Sequence, residues 1–298
     1  MSESEKHRAG FVNIVGNPNV GKSTLSNLLV GERLSIITSK AQTTRHRIMG
    51  IVNGENYQIV FSDTPGVLKP KFKLQESMLD SSAGALIDAD ILLYVTDVVE
   101  SPTKNADFLE RVARETIPVL LVINKIDLLK GQAELEQLVD KWKEILPKAE
   151  VFPTSALVNF NVDNLMRRIV ELLPESPPYF GKDALTDRNS RFFVTEIVRE
   201  KILLTYDKEV PYATQVLVEK FHETDTMIHI MVVIYVERET QKAIIIGHGG
   251  RKLKHVGIES RKELEKFFGK HVRLEMFVKV EKDWRNRENA LRQFGYIE

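Results

Sequence analysis

The nine residues Gly16–Thr24 have the types and the spacing needed to hold a phosphate group. They fit the pattern G-x-x-x-x-G-K-[ST], and the pattern lies between an apolar strand-like run, Phe11–Val15, and a helix-like run, Leu25–Leu29. Glycines allow backbone N–H groups to close around phosphates at the positive end of a helix. Lys22 would reach the β- and γ-phosphates, and the Ser23 hydroxyl would bind Mg²⁺. The predicted nucleotide contacts in this loop are Gly16, Asn17, Pro18, Asn19, Val20, Gly21, Lys22, Ser23 and Thr24.

A second motif predicts which base the nucleotide carries. Asn124–Asp127 reads N-K-I-D, follows the apolar run Val119–Ile123, and resembles the guanine-reading motif of GTPases. The Asp127 carboxylate can accept two hydrogen bonds from guanine, whereas adenine has no such pair of donors. Ser155–Leu157, after the strand-like run Val151–Thr154, resembles the loop that supports the guanine base. The predicted base contacts are Asn124, Lys125, Asp127, Ser155, Ala156 and Leu157.

A third segment is typical of the part of the site that senses the γ-phosphate. Asp63–Gly66 reads D-T-P-G and follows the strand-like run Tyr57–Phe61. Asp63 fits the acidic residue that holds Mg²⁺ at the end of a strand, and the Gly66 amide fits a contact to the γ-phosphate. The predicted nucleotide contacts here are Asp63, Thr64, Pro65 and Gly66.

The polar stretch Gln42–Arg45 is typical of a mobile switch that completes the Mg²⁺ site. Thr44 is the favoured ligand and Thr43 is the alternative, because spacing does not decide between them. The predicted metal ligands are Ser23, Thr44 and Asp63.

Two apolar residues stand where a hydrogen-bonding residue is expected. Val67 and Leu68 follow the D-T-P-G segment, at the place where Ras-type switches carry a water-orienting glutamine, so we expect slow hydrolysis. Resemblance to GTPases that use potassium in place of an arginine finger suggests Asn19 as a K⁺ ligand; the alternative is that Asn19 only shapes the loop. The predicted catalytic residues are Lys22, Asn19, Thr44 and Gly66.

Composition limits the protein class. The chain has 298 residues, which suits two domains, and no cysteine, which excludes disulfides and thiolate metal sites. Met1–Gly10 is charged and polar, unlike a secretory signal, and no apolar run approaches the roughly 20 residues that span a bilayer. We therefore expect a cytoplasmic protein without a transmembrane segment.

A proline-rich stretch, Leu172–Phe180, predicts the domain boundary. We assign 1–173 to a GTPase domain, 174–187 to a linker and 188–298 to a second domain. Strand-like and helix-like segments alternate in the first domain, which predicts an α/β fold with a mainly parallel sheet. The motifs follow its strands, at the edge where ligands of open α/β sheets bind.

The second domain has a different pattern. Its order, α-β-β-α-α-β with G-x-x-G at Gly247–Gly250 between two helices, resembles an α+β KH domain of the bacterial type (type II), which binds RNA. The window Lys242–Arg273 carries nine Lys and Arg against three acids, which also fits a solvated helix face. The predicted RNA contacts are Ile246, Gly247, His248, Gly249, Gly250, Arg251, Lys252 and Lys254.

Together these motifs and the two-domain order closely resemble the bacterial Era family of GTPases, from about residue 9 to the C-terminus. The resemblance implies binding near the 3′ end of small-subunit ribosomal RNA, a role in 30S subunit maturation and some peripheral association with the cytoplasmic membrane. We expect no DNA partner. His248 departs from the family, which usually carries a lysine near this position. The alternative class is a GTP-regulated binding module whose hydrolysis is incidental.

Overall fold

A computed structural model describes residues 7–67, 69–101 and 105–297, and these form two compact units. The first unit takes in the described residues up to Ser35, with Thr44–Pro70 and Met78–Asp187. The second takes in Ile36–Thr43, Lys71–Ser77 and the described residues from Arg188 onward. Leu68 and Met1–Lys6, which entered the predictions above, lie outside the described residues.

The first unit contains a six-stranded sheet in the order β2-β3-β1-β4-β5-β6. All neighbouring strands are parallel except β2, which runs antiparallel to β3 at the edge. The inner strands are almost wholly buried apolar runs, as parallel strands covered on both faces must be. The predicted mainly parallel α/β fold is confirmed. The strands are β1 (Arg8–Val15), β2 (Ile48–Asn53), β3 (Tyr57–Asp63), β4 (Ile91–Asp97), β5 (Val119–Asn124) and β6 (Glu150–Pro153).

Helices cover both faces of this sheet, and alternate residues of the strands serve the two sides. On β4, Leu93 packs in the core with α1 and α5, whereas Leu92 and Tyr94 pack in the core with α2, α3 and α4. Trp142 of α4 is fully buried against Tyr94. The helices are α1 (Lys22–Val30), α2 (Lys73–Ile87), α3 (Ala106–Arg114), α4 (Gln132–Ile145) and α5 (Val162–Leu172).

The second unit contains a three-stranded sheet in the order β7-β8-β9. β7 and β8 form an antiparallel hairpin, and β9 returns parallel to β8. One core joins the sheet to its helices, with Val194, Val232 and Val256 all fully buried. The predicted KH-like order is present, with one short helix added at the end. The elements are α6 (Ser190–Thr205), β7 (Gln215–Glu223), β8 (Met227–Val236), α7 (Glu239–Ile246), α8 (Arg251–Phe268), β9 (His271–Val280) and α9 (Glu288–Gln293).

None of the helices in the described part of the chain is long and apolar enough to cross a membrane.

Candidate nucleotide site and glycine loop

The segment Gly16–Thr24, called the phosphate loop below, runs from the end of β1 into the first turn of α1 and is closely packed at two of its glycines. A Cβ atom at Gly16 would lie 2.1 Å from the Val95 carbonyl oxygen, and one at Gly21 would lie 2.2 Å from Nδ2 of Asn124. Gly21 also has a left-handed φ of 96° and leaves the first turn of α1 without a side-chain cap. The N–H groups of that turn therefore remain available for an anion.

Lys22 is a buried cation whose described hydrogen-bond partners are neutral. Its Nζ donates to the carbonyl oxygens of Gly16, at 3.1 Å, and Asn17, at 2.9 Å. Burial lowers the pKa of Lys22 to about 8, against the attraction of Asp63 and Glu100. A buried ammonium is costly unless an opposite charge compensates it, and a phosphate in this loop would do so.

Asp63, at the end of β3, is a fully buried carboxyl group. Neither of its oxygens has a well-formed hydrogen bond within the described residues. Burial raises the pKa of Asp63, whereas nearby Lys22 and the hydroxyls of Ser35, Ser23 and Thr44 oppose that rise. Carboxylate oxygens of this kind, close to the hydroxyls of Ser23 and Thr44, fit Mg²⁺.

The two threonines of the predicted switch lie in different surroundings. The Thr44 and Ser23 hydroxyl oxygens are 2.9 Å apart and both lie near Asp63. The Thr43 hydroxyl instead donates to the Lys40 carbonyl at 2.6 Å and lies 2.7 Å from the Thr38 hydroxyl. This geometry favours Thr44 over Thr43 as the switch residue of the metal site.

The segment Asp63–Gly66, called the DTPG segment below, packs directly on the phosphate loop. The Thr64 hydroxyl donates to the Ile14 carbonyl at 2.7 Å. A Cβ atom at Gly66 would lie 2.7 Å from Cα of Pro18, so only glycine allows this approach. Val67, which follows, is buried and apolar, and it cannot orient water by hydrogen bonding.

Hydrogen bonds of buried side chains connect the two loops predicted to contact the base, Asn124–Asp127 and Ser155–Leu157, called the base loops below. The Asn124 side chain accepts from the Ala156 N–H and donates to the Val20 carbonyl, both at 2.9 Å. The Ser155 hydroxyl donates to a carboxylate oxygen of Asp127. The Asn124 side chain thus connects both base loops to the phosphate loop.

Lys125 adds an ionic connection that the sequence did not predict. Its Nζ donates to the Asn19 carbonyl and to the Asp97 carboxylate, each at 2.6 Å. Asp97 is the last residue of β4 and pairs with the end of β5. An acidic residue at the end of a buried strand was the feature of the sequence that could have predicted this contact. Asp127 and Leu157 remain exposed beside this cluster.

The strands β1, β3, β5 and β6 all run parallel in the sheet, so the loops that follow them begin at the same edge. The residues predicted to contact the nucleotide therefore meet at this edge, at the carboxyl ends of the strands.

The loop Gly247–Gly250, called the glycine loop below, connects α7 to α8 in the second unit. Gly247, Gly249 and Gly250 have φ angles of 70°, 58° and 75°, in the left-handed region. A Cβ atom at Gly249 or Gly250 would meet nothing within 4 Å. These two glycines therefore serve backbone conformation, and their surroundings leave space for another chain.

A groove of about 390 Å³ begins at the glycine loop and runs between α8 and β9. It has apolar walls, including Ile258 and Met276, and carries the cations Lys254 and Arg261. Sequence reasoning missed the part beyond the first turn of α8, because it is formed with a strand distant in the sequence. The lining residues are Gly250, Leu253, Lys254, Gly257, Ile258, Arg261, Leu274 and Met276.

The basic residues after the glycine loop are exposed, with one distinction. Arg251 and Lys254 are exposed on α8. Lys252 is exposed as well, but its Nζ lies 5.6 Å from the ring centre of Tyr206, in a cation–π contact. Ile246 is half-buried at the end of α7, and His248 is exposed.

The phosphate loop, the base loops and the parallel sheet define a P-loop GTPase, here with an added KH domain. Residues 11–125 match the family described as 50S ribosome-binding GTPase, and residues 209–285 match the KH domain family. A crystal structure of Era in complex with MgGDPNP and nucleotides 1506–1542 of 16S ribosomal RNA is 40% identical, with a TM-score of 0.93, over 98% of this chain and 100% of that one.

A structure of a variant Era from Aquifex aeolicus bound to GDP·AlF4⁻ has the same identity, coverage and TM-score. The chain belongs to the Era family of GTPases.

Proposed function

We propose that the nucleotide site binds GTP through the residues predicted above and hydrolyses it. The buried pair of Lys22 and Asp63 carries this proposal. The two charges attract each other, but the described hydrogen bonds of Lys22 go to neutral carbonyl oxygens, and no well-formed hydrogen bond from a described residue reaches the Asp63 oxygens. Lys22 would neutralise the β- and γ-phosphates, and the Gly66 N–H would bind the γ-phosphate. Asp127, with Ser155 bonded to it, would read guanine.

The Mg²⁺ ligands in this proposal are Ser23, Thr44 and Asp63. The ion, when bound, supplies charge neutralisation at the transferring phosphate. The two neighbouring threonines offer a matched test. Thr44→Ala should weaken Mg²⁺-dependent GTP binding and hydrolysis by roughly tenfold. Thr43→Ala, which removes a hydroxyl bonded to Lys40, should change both much less. Equal effects would contradict the choice of Thr44.

We propose slow hydrolysis with Asn19 as a potassium ligand. The backbone of Asn19 is left-handed, its carbonyl accepts from Lys125, and its side chain is exposed beside the phosphate loop. Amide oxygens suit hard cations. Hydrolysis should be several-fold faster in KCl than in NaCl, and Asn19→Ala should remove that difference. Equal rates in both salts would leave Asn19 with a role in loop shape only.

We further propose that residues 188–298 form an RNA-binding domain, separated by the linker 174–187 from the GTPase domain 1–173. Its ligand is single-stranded RNA near the 3′ end of small-subunit ribosomal RNA, and its role is to assist 30S maturation in the cytoplasm. The open glycine loop, the groove beside it and the basic residues of α8 support RNA binding. The RNA found with the similar Era supports the choice of ligand. Peripheral membrane association stays a prediction.

The test is filter binding of the full chain to a fragment from the 3′ end of small-subunit ribosomal RNA, with GTP and GDP compared. The variant His248→Glu/Gly249→Asp should lower RNA affinity at least tenfold by charge repulsion, with GTP hydrolysis in the absence of RNA unchanged. Gly269→Asp/His271→Glu makes the same replacements at the other end of α8, where Gly269 is also left-handed and open. Equal RNA affinity in the two variants would contradict the proposal.

A further inference from the structure

Asn105 breaks two local rules at the start of α3. Asn105 is the N-cap residue of α3. An N-cap asparagine usually has an extended backbone, and its side chain accepts a hydrogen bond from an N–H group of the first turn, which contributes about 1 kcal/mol to stability. Asn105 has instead φ 57° and ψ 45°, in the left-handed region, and its side chain makes no capping bond. A residue that gives up a cap in a strained conformation is expected to use its side chain elsewhere.

The Asn105 side chain connects the phosphate loop to the residue after the DTPG segment. Its Nδ2 donates to the Val67 carbonyl at 3.0 Å and to the side-chain oxygen of Asn17. The Val67 N–H donates to the Gly16 carbonyl at 3.1 Å. Both backbone polar groups of Val67 are therefore held against the phosphate loop, one directly and one through Asn105.

The surroundings of Asn17 indicate that its contact with Asn105 has a role beyond packing. It is almost fully buried, and its Nδ2 has no hydrogen-bond partner within the described residues. A buried donor without a partner costs about 1–3 kcal/mol, so a smaller apolar residue would be cheaper if only packing mattered. Asn17 instead presents its oxygen to Asn105.

We propose that Asn105 is a positioning residue for GTP: it fixes Val67 and thereby holds the Gly66 N–H where the γ-phosphate binds. The proposal rests on the proposed function of Gly66. Preorganised donors favour the ligand because they need no rearrangement when it binds. GDP has no γ-phosphate, so its affinity should not depend on Asn105. Discrimination between the two nucleotides is the quantity that Asn105 should change.

Two substitutions separate the amide from the backbone conformation. Asn105→Asp keeps the shape and tolerates a left-handed backbone, but a carboxylate cannot donate to two acceptor oxygens. Asn105→Gly removes the side chain and relieves the backbone strain. Both should lower the affinity for GDPNP about fivefold and single-turnover hydrolysis about tenfold, with the affinity for GDP unchanged. Unchanged affinity for GDP in both variants will show that the nucleotide site stays folded.

Asn159→Gly is the matched control, because Asn159 is another left-handed asparagine, with φ 54° and an exposed side chain. It should match the wild type in all these measurements. A double-mutant cycle with Asn17→Ala should show that the two losses are not additive. Additive losses would contradict the contact between Asn17 and Asn105 as the route of the effect.

The variant Gly66→Ala distinguishes an error in the function assigned to Gly66 from an error in the role proposed for Asn105. If it leaves the preference for GDPNP over GDP intact while GDP still binds, Gly66 does not sense the γ-phosphate and the proposal fails with that assignment. If it abolishes the preference but both Asn105 variants keep the wild-type ratio, only the role of Asn105 is wrong. Loss of the preference in all three variants, with GDP affinity kept in both Asn105 variants, is the expected result.

Discussion

The phosphate loop and the glycine loop share one local design and differ in everything around it. In each, a left-handed glycine without a side-chain cap precedes a helix, Gly21 before α1 and Gly250 before α8. In the phosphate loop, glycine is required by close packing, because Cβ atoms at Gly16 and Gly21 would collide with neighbouring atoms. In the glycine loop, Gly249 and Gly250 have open space around them, and only the backbone conformation requires glycine.

The difference corresponds to two kinds of ligand. A nucleotide is small and can be enclosed, and Lys22, Asp63 and Asn124 of the proposed nucleotide site are buried. A polymer must pass across its site, and the open glycine loop with its exposed cations fits the proposed RNA ligand. We infer that the buried groups hold the phosphates in a fixed position, and that an open loop favours attraction by charge.

The largest expected effect follows from the collision at Gly16. Gly16→Ala places a Cβ atom against the Val95 carbonyl, and the free energy of unfolding of the first unit should fall by about 3 kcal/mol, with loss of GTP binding. Gly31→Ala is the control, because Gly31 has φ 80° and no atom near its Cβ position. Denaturant unfolding and nucleotide titration measure both variants. Equal free energies of unfolding for Gly16→Ala and Gly31→Ala would contradict the claim that close packing requires glycine in the phosphate loop.

Base selection should be the next largest effect. Asp127→Asn should lower GTP affinity roughly a hundredfold and favour xanthosine triphosphate, because the amide can donate to the oxygen that replaces the guanine amino group. Competition between the two nucleotides measures the change. Asp140→Asn, at an exposed position on α4, should keep the wild-type preference. A wild-type preference in Asp127→Asn would remove guanine reading from this residue.

Salt should affect the two sites unequally. Contacts from Arg251, Lys252 and Lys254 to three phosphates give a slope of about −2 for log affinity against log salt, so a fourfold rise in salt should weaken RNA binding about twentyfold. GTP affinity should change much less at constant Mg²⁺, because Lys22 and Asp63 are buried. Filter binding and nucleotide titration across one salt series test both. Parallel losses would contradict the proposed difference in recognition.

The smallest effect concerns the glycine loop itself. Gly250→Ala should cost about 1 kcal/mol of stability, because only the left-handed backbone opposes the new methyl group. Gly269→Ala, with φ 65° and equally open surroundings, should cost the same. RNA affinity should fall only in Gly250→Ala. Unfolding of the second unit by either substitution would show that packing matters there after all.

The sequence predicted those features whose residues are contiguous. The phosphate loop, the DTPG segment and the base loops are short motifs after buried strands, and a mainly parallel sheet brings such loops to one edge. The α/β class and the KH-like order were predicted from local patterns, and both are confirmed. The strand β2 was missed: Ile48–Asn53 is short and pairs antiparallel at the sheet edge, outside the alternation of strands and helices.

What the sequence did not predict depends on contacts between distant residues. Asp97 acts on Lys125, and Asn105 on Asn17 and Val67, through side chains that no spacing rule connects. The far wall of the groove shows the same limit. A Cβ atom at Gly257 of α8 would lie 2.8 Å from the Met276 methyl group of β9. The need for glycine at position 257 therefore depends on a side chain of a strand distant in the sequence.

The pairing of β9 with β8 has a consequence for synthesis of the chain. The hairpin of β7 and β8 can form as soon as both strands exist, but the parallel partner of β8 follows only after α7 and α8. Pairings between distant segments form slowly, and an unpaired strand edge invites aggregation. A nascent chain that ends at Phe268 would therefore expose one edge of β8, and the last strand must be translated before this sheet can close.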